Sequence, residues 1–134
     1  MKVLLDTHVL AWLLIDPDLV PASMMADIES SSELFVSAAT AWEMAIKYEK
    51  GRWPEVVGLL GTWDESLGDA GIKEVPISAR HGKMAAALNS DHRDPFDRVI
   101  VAQAIALDAR LATVDATVVR DFAAIIRAQS QRSA

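Results

Sequence analysis

Four acidic residues, Asp6, Glu43, Asp97 and Asp115, stand out in this sequence as side chains that could work together. Carboxylates brought into one cleft repel each other, and some take up protons unless a cation neutralises them. The chain has no cysteine and three histidines, so its natural donor set is oxygen. Such a set suits a hard cation, Mg2+ or Mn2+. Two such ions can activate a water and stabilise both the attacking and the leaving oxygen of an in-line displacement at phosphorus. The expected chemistry is phosphodiester hydrolysis, with Asp6 and Asp97 as direct ligands. Glu43 and Asp115 would complete the coordination, directly or through water. Thr7 and Thr113 can orient a water or a carboxylate by hydrogen bonding. Arg93 and Arg98 flank the acids and can hold a phosphate, or can be solvated or ion-paired.

The elements that would carry these side chains follow from the apolar runs and their punctuation. Lys2–Leu5 reads as a strand ending at Asp6, and His8–Ile15 as a helix stopped by Asp16-Pro17-Asp18. A helix at Ala22–Ser30 and a strand at Glu33–Val36 come next. Ser37 caps a helix running to about Lys50, with Gly51 just past its end. Pro54–Leu67 reads as one helix opened by its proline, Lys73–Ile77 as a strand, and Ser78–Leu88 as a helix. After a polar loop at Asn89–Arg93 come an apolar helix at Pro95–Leu107, a strand at Arg110–Val114 and a possible last strand in Phe122–Arg127. Strands alternating with helices predict an α/β fold with a parallel sheet covered on both faces. Function in such sheets sits at the carboxyl ends of the strands. Asp6 and Asp115 end two strands, Glu43 lies in the first two turns of a helix behind a third, and Asp97 opens its own helix. One domain is expected over 1–128, with a loose polar tail over 129–134.

Each acid also has a plainer explanation. Asp94-Pro95-x-Asp97 is close to an ideal helix start, with Asp94 as cap and Asp97 facing the helix dipole. Glu43 has Lys47 four residues on, the spacing of a surface ion pair. Asp6 and Asp115 could simply cap the helices that follow them. Only the four together favour a shared site. Trp12 and Trp42, in helices with apolar neighbours, read as core. Trp53, in the loop Gly51-Arg52-Trp53-Pro54, is either packed or an exposed anchor for a partner, and Met24, Met25 and Ile46 could line the same groove or belong to the core. His8, His81 and His92 read as hydrogen-bonded structural residues, with His8 a minor site candidate because Asp6 is near.

The net charge of −6 argues against a generic nucleic-acid binder, whose affinity comes largely from neutralising phosphates. Two bound divalent ions would add four positive charges and bring the total to −2. A basic partner would lower the deficit further. The absence of cysteine fits a cytoplasmic location, and no run reaches the roughly 18 apolar residues that span a bilayer. There is no GxxxxGK[ST], no GxGxxG after the first strand, no GxSxG and no HExxH. Asp6 is followed by His8 rather than by a second aspartate two residues on, which disfavours dehalogenase-type phosphotransfer.

Leu5-Asp6-Thr7-His8, Trp42-Glu43, Asp94-Pro95-Phe96-Asp97-Arg98 and Thr113-x-Asp115, in that order along nearly the whole chain, resemble the PIN domain, and more narrowly VapC-type toxins of type II toxin–antitoxin systems. By this resemblance Asp6, Glu43, Asp97 and Asp115 match the quartet that binds Mg2+ or Mn2+, and Asp94 matches an additional acid of a subgroup. The resemblance further implies a parallel sheet of about five strands, cleavage of RNA, a homodimer, and inhibition by a cognate antitoxin. Two alternatives stay open. One is a PIN-like regulator that binds nucleic acid or a partner without cleaving. The other is a metal-dependent phosphohydrolase acting on DNA or on a small phosphate ester.

Overall fold

The computed structural model describes residues 1–126. Its centre is one parallel sheet of β1 (Lys2–Leu5), β2 (Glu33–Ser37), β3 (Ile72–Val75) and β4 (Arg110–Ala112), in the spatial order β3-β2-β1-β4. In register, Leu4 lies beside Phe35 on one side and Leu111 on the other, while Leu5 lies beside Val36 and Ala112. Because side chains alternate faces along a strand, these two rows feed two separate cores. Val3, Leu5, Val36 and Ala112 pack with Val9, Leu10, Met44 and Leu59 on one face. Leu4, Phe35 and Leu111 pack with Ile100, Val101 and Phe122 on the other. Burial on both faces is what leaves these strands almost uninterruptedly apolar.

The first face is covered by α1 (Thr7–Ile15), α2 (Ala22–Ser30), α4 (Val57–Gly61) and α5 (Trp63–Ala70). The second carries α6 (Ala79–Ala87), α7 (Pro95–Leu107) and α8 (Ala116–Asp121), and α3 (Ala38–Glu49) gives Ala39 to this core but Met44 to the other. Short 3-10 turns occupy Pro17–Leu19 and Pro54–Val56. Among the described residues no helix is long and apolar enough to cross a membrane.

Five expectations need correction. The fourth strand, expected over Arg110–Val114 and ending at Asp115, stops at Ala112, three residues before Asp115. The single helix over Pro54–Leu67 is broken into a 3-10 turn and two helices. Gly58 and Gly61 weaken the run, and Thr62 turns its hydroxyl back onto the Gly58 carbonyl at 3.0 Å. The third strand stops at Val75, since Pro76 has no N–H for the ladder. The sheet has four strands rather than about five, because 123–126 is helical and Phe122 is sealed in the second core; Arg127, at the end of that expected strand, lies outside the described residues, as do the domain boundary at 128 and the expected tail. Trp42 is not core: it is 61% exposed, with its ring edge-on to Phe96 at 5.0 Å.

The carboxyl ends of β1 and β2 lead directly into α1 and α3, and β4 leads through three residues into α8. The helix starts following three adjacent strands therefore lie along one edge of the sheet.

Candidate active site

Asp6 leaves β1 with its backbone N–H bonded to the Ala112 carbonyl at 2.9 Å and then caps α1. One carboxylate oxygen, Oδ1, accepts the Thr7 N–H at 2.8 Å, and the other, Oδ2, accepts the Thr113 hydroxyl at 2.6 Å. The cap is therefore real, and it fixes the carboxylate at the strand edge with only 8% exposure. Thr7 reaches across to α3, donating its hydroxyl to Glu43 Oε1 at 2.8 Å, with Thr40 Oγ1 3.2 Å away on the other side. Thr113 in turn accepts the Asp115 N–H at 3.1 Å. Glu43 and Asp6, from elements far apart in sequence, thus meet at Thr7, through its hydroxyl and its backbone N–H, and Asp6 reaches the backbone N–H of Asp115 through the Thr113 hydroxyl. Thr40, buried in α3, completes the linkage, although nothing in its helical position announced it.

Asp115 caps α8. Its Oδ1 accepts the Thr117 hydroxyl and N–H at 2.7 and 2.9 Å, while Oδ2 has no hydrogen-bond partner among the described residues. Asp97, at the third position of α7, stands beside His92. The imidazole touches Asp97 Oδ2 through Nε2 and Asp121 Oδ2 through Nδ1, both at 2.7 Å. Asp97 Oδ1 has no hydrogen-bond partner among the described residues. Carboxylates only accept, so with both ionised the ring carries two N–H groups and a charge. Neither His92 nor Asp121 could be tied to the acids from spacing.

The electrostatics show that these groups share one field. Burial pushes Asp6 above its ordinary value, and the charges of Glu43 and Asp115 add to the push, against the stabilising bonds from Thr113 and Thr7. Burial raises Asp97 to about 6, assisted by Asp94, Asp6 and Glu43 and opposed by His92. Asp115 is lowered, chiefly by Thr117. For His92, burial disfavours the charge, but Asp121 and Asp97 outweigh it and the value rises. Asp6 and Asp115 line a cleft of about 240 Å3 with His8, Trp12 and Val114.

Mutual repulsion among carboxylates, with an oxygen on Asp97 and another on Asp115 unpartnered among the described residues, is the donor chemistry a divalent cation relieves. Among the described residues no three Asp, Glu or His groups already close into a metal cage. Mg2+ and Mn2+ take oxygen donors of this kind, Mg2+ typically through one or two carboxylates together with waters and substrate phosphates.

Other candidates have found different work. Arg98 is not available for a phosphate. Its Nε, Nη1 and Nη2 donate to the carbonyls of Ala85, Ser90, His92, Ala86 and Leu88 at 2.7–3.4 Å, so every guanidinium N–H is engaged in holding the end of α6 and the loop after it. Asp94 caps α7, accepting from Phe96 and Asp97 at 2.9 and 3.2 Å, and its charge falls on Asp97. Arg93 is exposed and without a salt bridge among the described residues. His81 forms a reciprocal cap with Ser78. Trp53 is neither free nor core: half-buried, it stacks on His8 at 4.8 Å with Lys47 Nζ 5.7 Å from its ring centre. Lys47 also pairs with Glu43 at 3.1 Å. Trp12, His8 and Trp53 share a larger groove of about 640 Å3 with Ile15, Leu19 and Arg52.

The sequence profile of the PIN domain matches residues 3–124. Ribonuclease VapC22 of Mycobacterium tuberculosis is 34% identical over 114 residues, which is 84% of this chain and 86% of that protein. The crystal structure of VapBC2 from Rickettsia felis bound to a DNA fragment from their promoter superposes with a TM-score of 0.61 over 90% of this chain and 93% of the other, at 16% identity. That likeness confirms the fold. The profile match and the identity over most of the chain go further: this protein belongs to the PIN domain family, in its VapC-type branch.

Proposed function

We propose that this protein is a divalent-metal-dependent ribonuclease and the toxin half of a toxin–antitoxin pair, with Asp6, Glu43, Asp97 and Asp115 as its catalytic and metal-binding acids. The observation that carries the reading is the linkage of Glu43, Asp6 and Asp115 through Thr7 and Thr113 beside the raised carboxyl of Asp97. Asp6 and Asp97 would hold Mg2+ or Mn2+ directly, with Glu43 and Asp115 completing the coordination directly or through water. Bound there, the cation supplies the charge that makes an attacking water more acidic and steadies the leaving oxygen. Thr7 and Thr113 keep their carboxylates in fixed rotamers, and burial of Asp6 excludes bulk water from one side of the cleft. Arg93, exposed and without a salt bridge among the described residues, would meet an RNA phosphate.

Two partners belong to this reading. The groove of Trp12, Trp53, Ile15 and Leu19 supports an antitoxin segment docking beside the acids, so Trp53 keeps its proposed partner role within that groove. The exposed Trp42 with Phe96 and Ile77 supports a face for a second copy of the chain. The test is incubation with RNA, DNA and a phosphomonoester, with and without Mg2+ or Mn2+. RNA alone should be cut, only with metal, and Asp6→Asn should abolish the cut while circular dichroism stays unchanged. Full-rate cleavage by that variant would refute the assignment. A purely binding role would leave all three substrates intact.

A further inference from the structure

The imidazole of His92 is held more firmly than a helix cap or a surface ion pair requires. Its side chain is 9% exposed and bridges Asp97 and Asp121 at 2.7 Å each. Its backbone is fixed as well: the carbonyl accepts from Arg98 Nη1 at 2.7 Å, and the N–H donates to the Ser90 hydroxyl, which itself donates to the Asp121 carbonyl at 2.9 Å. The Phe122 ring lies 5.1 Å from the imidazole. Asp121 ends α8, the helix that Asp115 begins.

The consequence falls on Asp97. A free carboxylate at the third position of a helix can rotate and offer either oxygen, or both. Here Oδ2 faces the imidazole, and Oδ1 is the oxygen left without a hydrogen-bond partner among the described residues. Partners outside a coordination shell fix the orientation and basicity of the ligand they touch, and losing one typically weakens metal binding about 10–100-fold. We infer that His92 is a positioning residue for Asp97, occupying one carboxylate oxygen so that the other meets the cation, and that Asp121 holds His92 in that role without approaching the cation itself. α8 thereby serves the site at both ends, through Asp115 at its start and Asp121 at its finish. The inference rests on the reading of Asp97 as a metal ligand.

The test measures Mn2+ binding to the resting protein by calorimetry and electron paramagnetic resonance, with melting temperatures in parallel. His92→Phe should weaken Mn2+ binding about 10-fold or more. Asp121→Ala should weaken it several-fold in the parent but hardly at all in the His92→Phe background, since the effect passes through the imidazole. Asp121→Asn, which keeps an oxygen to accept the ring N–H, should restore most of the affinity; a loss that merely reflected a loosened fold would follow melting temperature instead. If His92→Phe does not fold, His92→Gln takes its place in the cycle. Additive losses from the two positions, or unchanged Mn2+ affinity in the single variants, overturns the inference. Asp97→Asn is the control for the underlying reading: if it binds Mn2+ like the parent, the site assignment itself is wrong, whereas weakened binding there with no effect at 92 or 121 removes only His92 and Asp121 from the site.

Discussion

Asp97 and Arg98 are neighbours on one helix turn, yet their surroundings are opposite. The Arg98 guanidinium has a carbonyl for every N–H, whereas Asp97 sits among other acids with one oxygen unpartnered among the described residues and its pKa raised to about 6. A charged group whose bonds are all satisfied within the chain is there for the fold. One held with bonding capacity left over, at an electrostatic disadvantage, is available for something the chain does not supply. The contrast separates stability from activity within two residues, and substitutions can test it.

The largest effect should come from removing an acid. Asp97→Asn is expected to reduce metal-dependent cleavage about 10²–10³-fold, the scale seen when one preorganised electrostatic contact to the reacting charge is lost. It should not reduce the stability of the metal-free protein. The folded pKa of Asp97 lies above its ordinary value of 3.8, so the native state keeps a proton that the unfolded chain releases between 3.8 and about 6. Its contribution to stability therefore falls as pH rises through that window. Thermal melts of parent and variant across the window should show the parent losing ground relative to Asp97→Asn. A variant that melts earlier throughout would mean that Asp97 is chiefly structural.

Arg98→Ala should behave in the opposite way. It leaves up to five carbonyls without their shared donor, and charge-assisted hydrogen bonds contribute about 1.5–3 kcal/mol each in favourable cases. A net loss of about 2–3 kcal/mol in urea unfolding is expected, because some carbonyls regain water. Arg98→Lys, with a compact ammonium in place of a planar fork, should recover only part of it. Cleavage at a temperature where the variant remains folded should fall far less than in Asp97→Asn. If binding RNA phosphate were its main task, stability would barely change and KM would rise instead.

The difference between these two neighbours also marks how far a sequence can be read. Alternating strands and helices gave the parallel sheet and its two apolar faces, because burial on both sides leaves a continuous apolar signature in Val3–Leu5 and Phe35–Val36. The four acids could be placed near one edge because each lies at a strand end or a helix start, where position is a local matter. Local signals failed where partners come from afar. Arg98 takes its meaning from carbonyls of α6 and the next loop, and His92 from Asp121, 29 residues on. Trp42 looked like core because its neighbours are apolar, but a helix packed on one side leaves the opposite side exposed, whatever the residue. No fifth strand forms at Phe122–Ile126: the segment is apolar enough for one, but Phe122 ends α8 in a turn and 123–126 is helical.

A smaller effect concerns protons. If the raised carboxyls of Asp97 and Asp6 meet a cation, they must lose their protons to do so. Mn2+ affinity should hold at neutral pH and weaken below about 6, by up to about tenfold per pH unit for each proton displaced. Calorimetry in two buffers of different ionisation enthalpy would count the protons released. An affinity flat through that range would indicate that the cation binds elsewhere, away from the buried acids.

The smallest effect decides between the two readings of Glu43. Its Oε2 pairs with Lys47 at 3.1 Å, the surface ion pair that the sequence spacing suggests, and its Oε1 takes the Thr7 hydroxyl that belongs to the acidic linkage. A fully exposed i,i+4 pair contributes only about 0.3–0.5 kcal/mol, but the Glu43 side chain is 12% exposed and Lys47 also lies over the Trp53 ring, so Lys47→Ala should cost about 1 kcal/mol in urea unfolding. If the ion pair were all that Glu43 does, Glu43→Gln would match Lys47→Ala in every measurement. Because Glu43 also faces Asp6 and Asp97, the two should part company. Lys47→Ala removes a competing cation and should leave Mn2+ affinity unchanged or slightly improved, whereas Glu43→Gln removes a negative charge from the cluster and should weaken it. Identical behaviour of the two variants would return Glu43 to the helix surface and leave three acids at the centre.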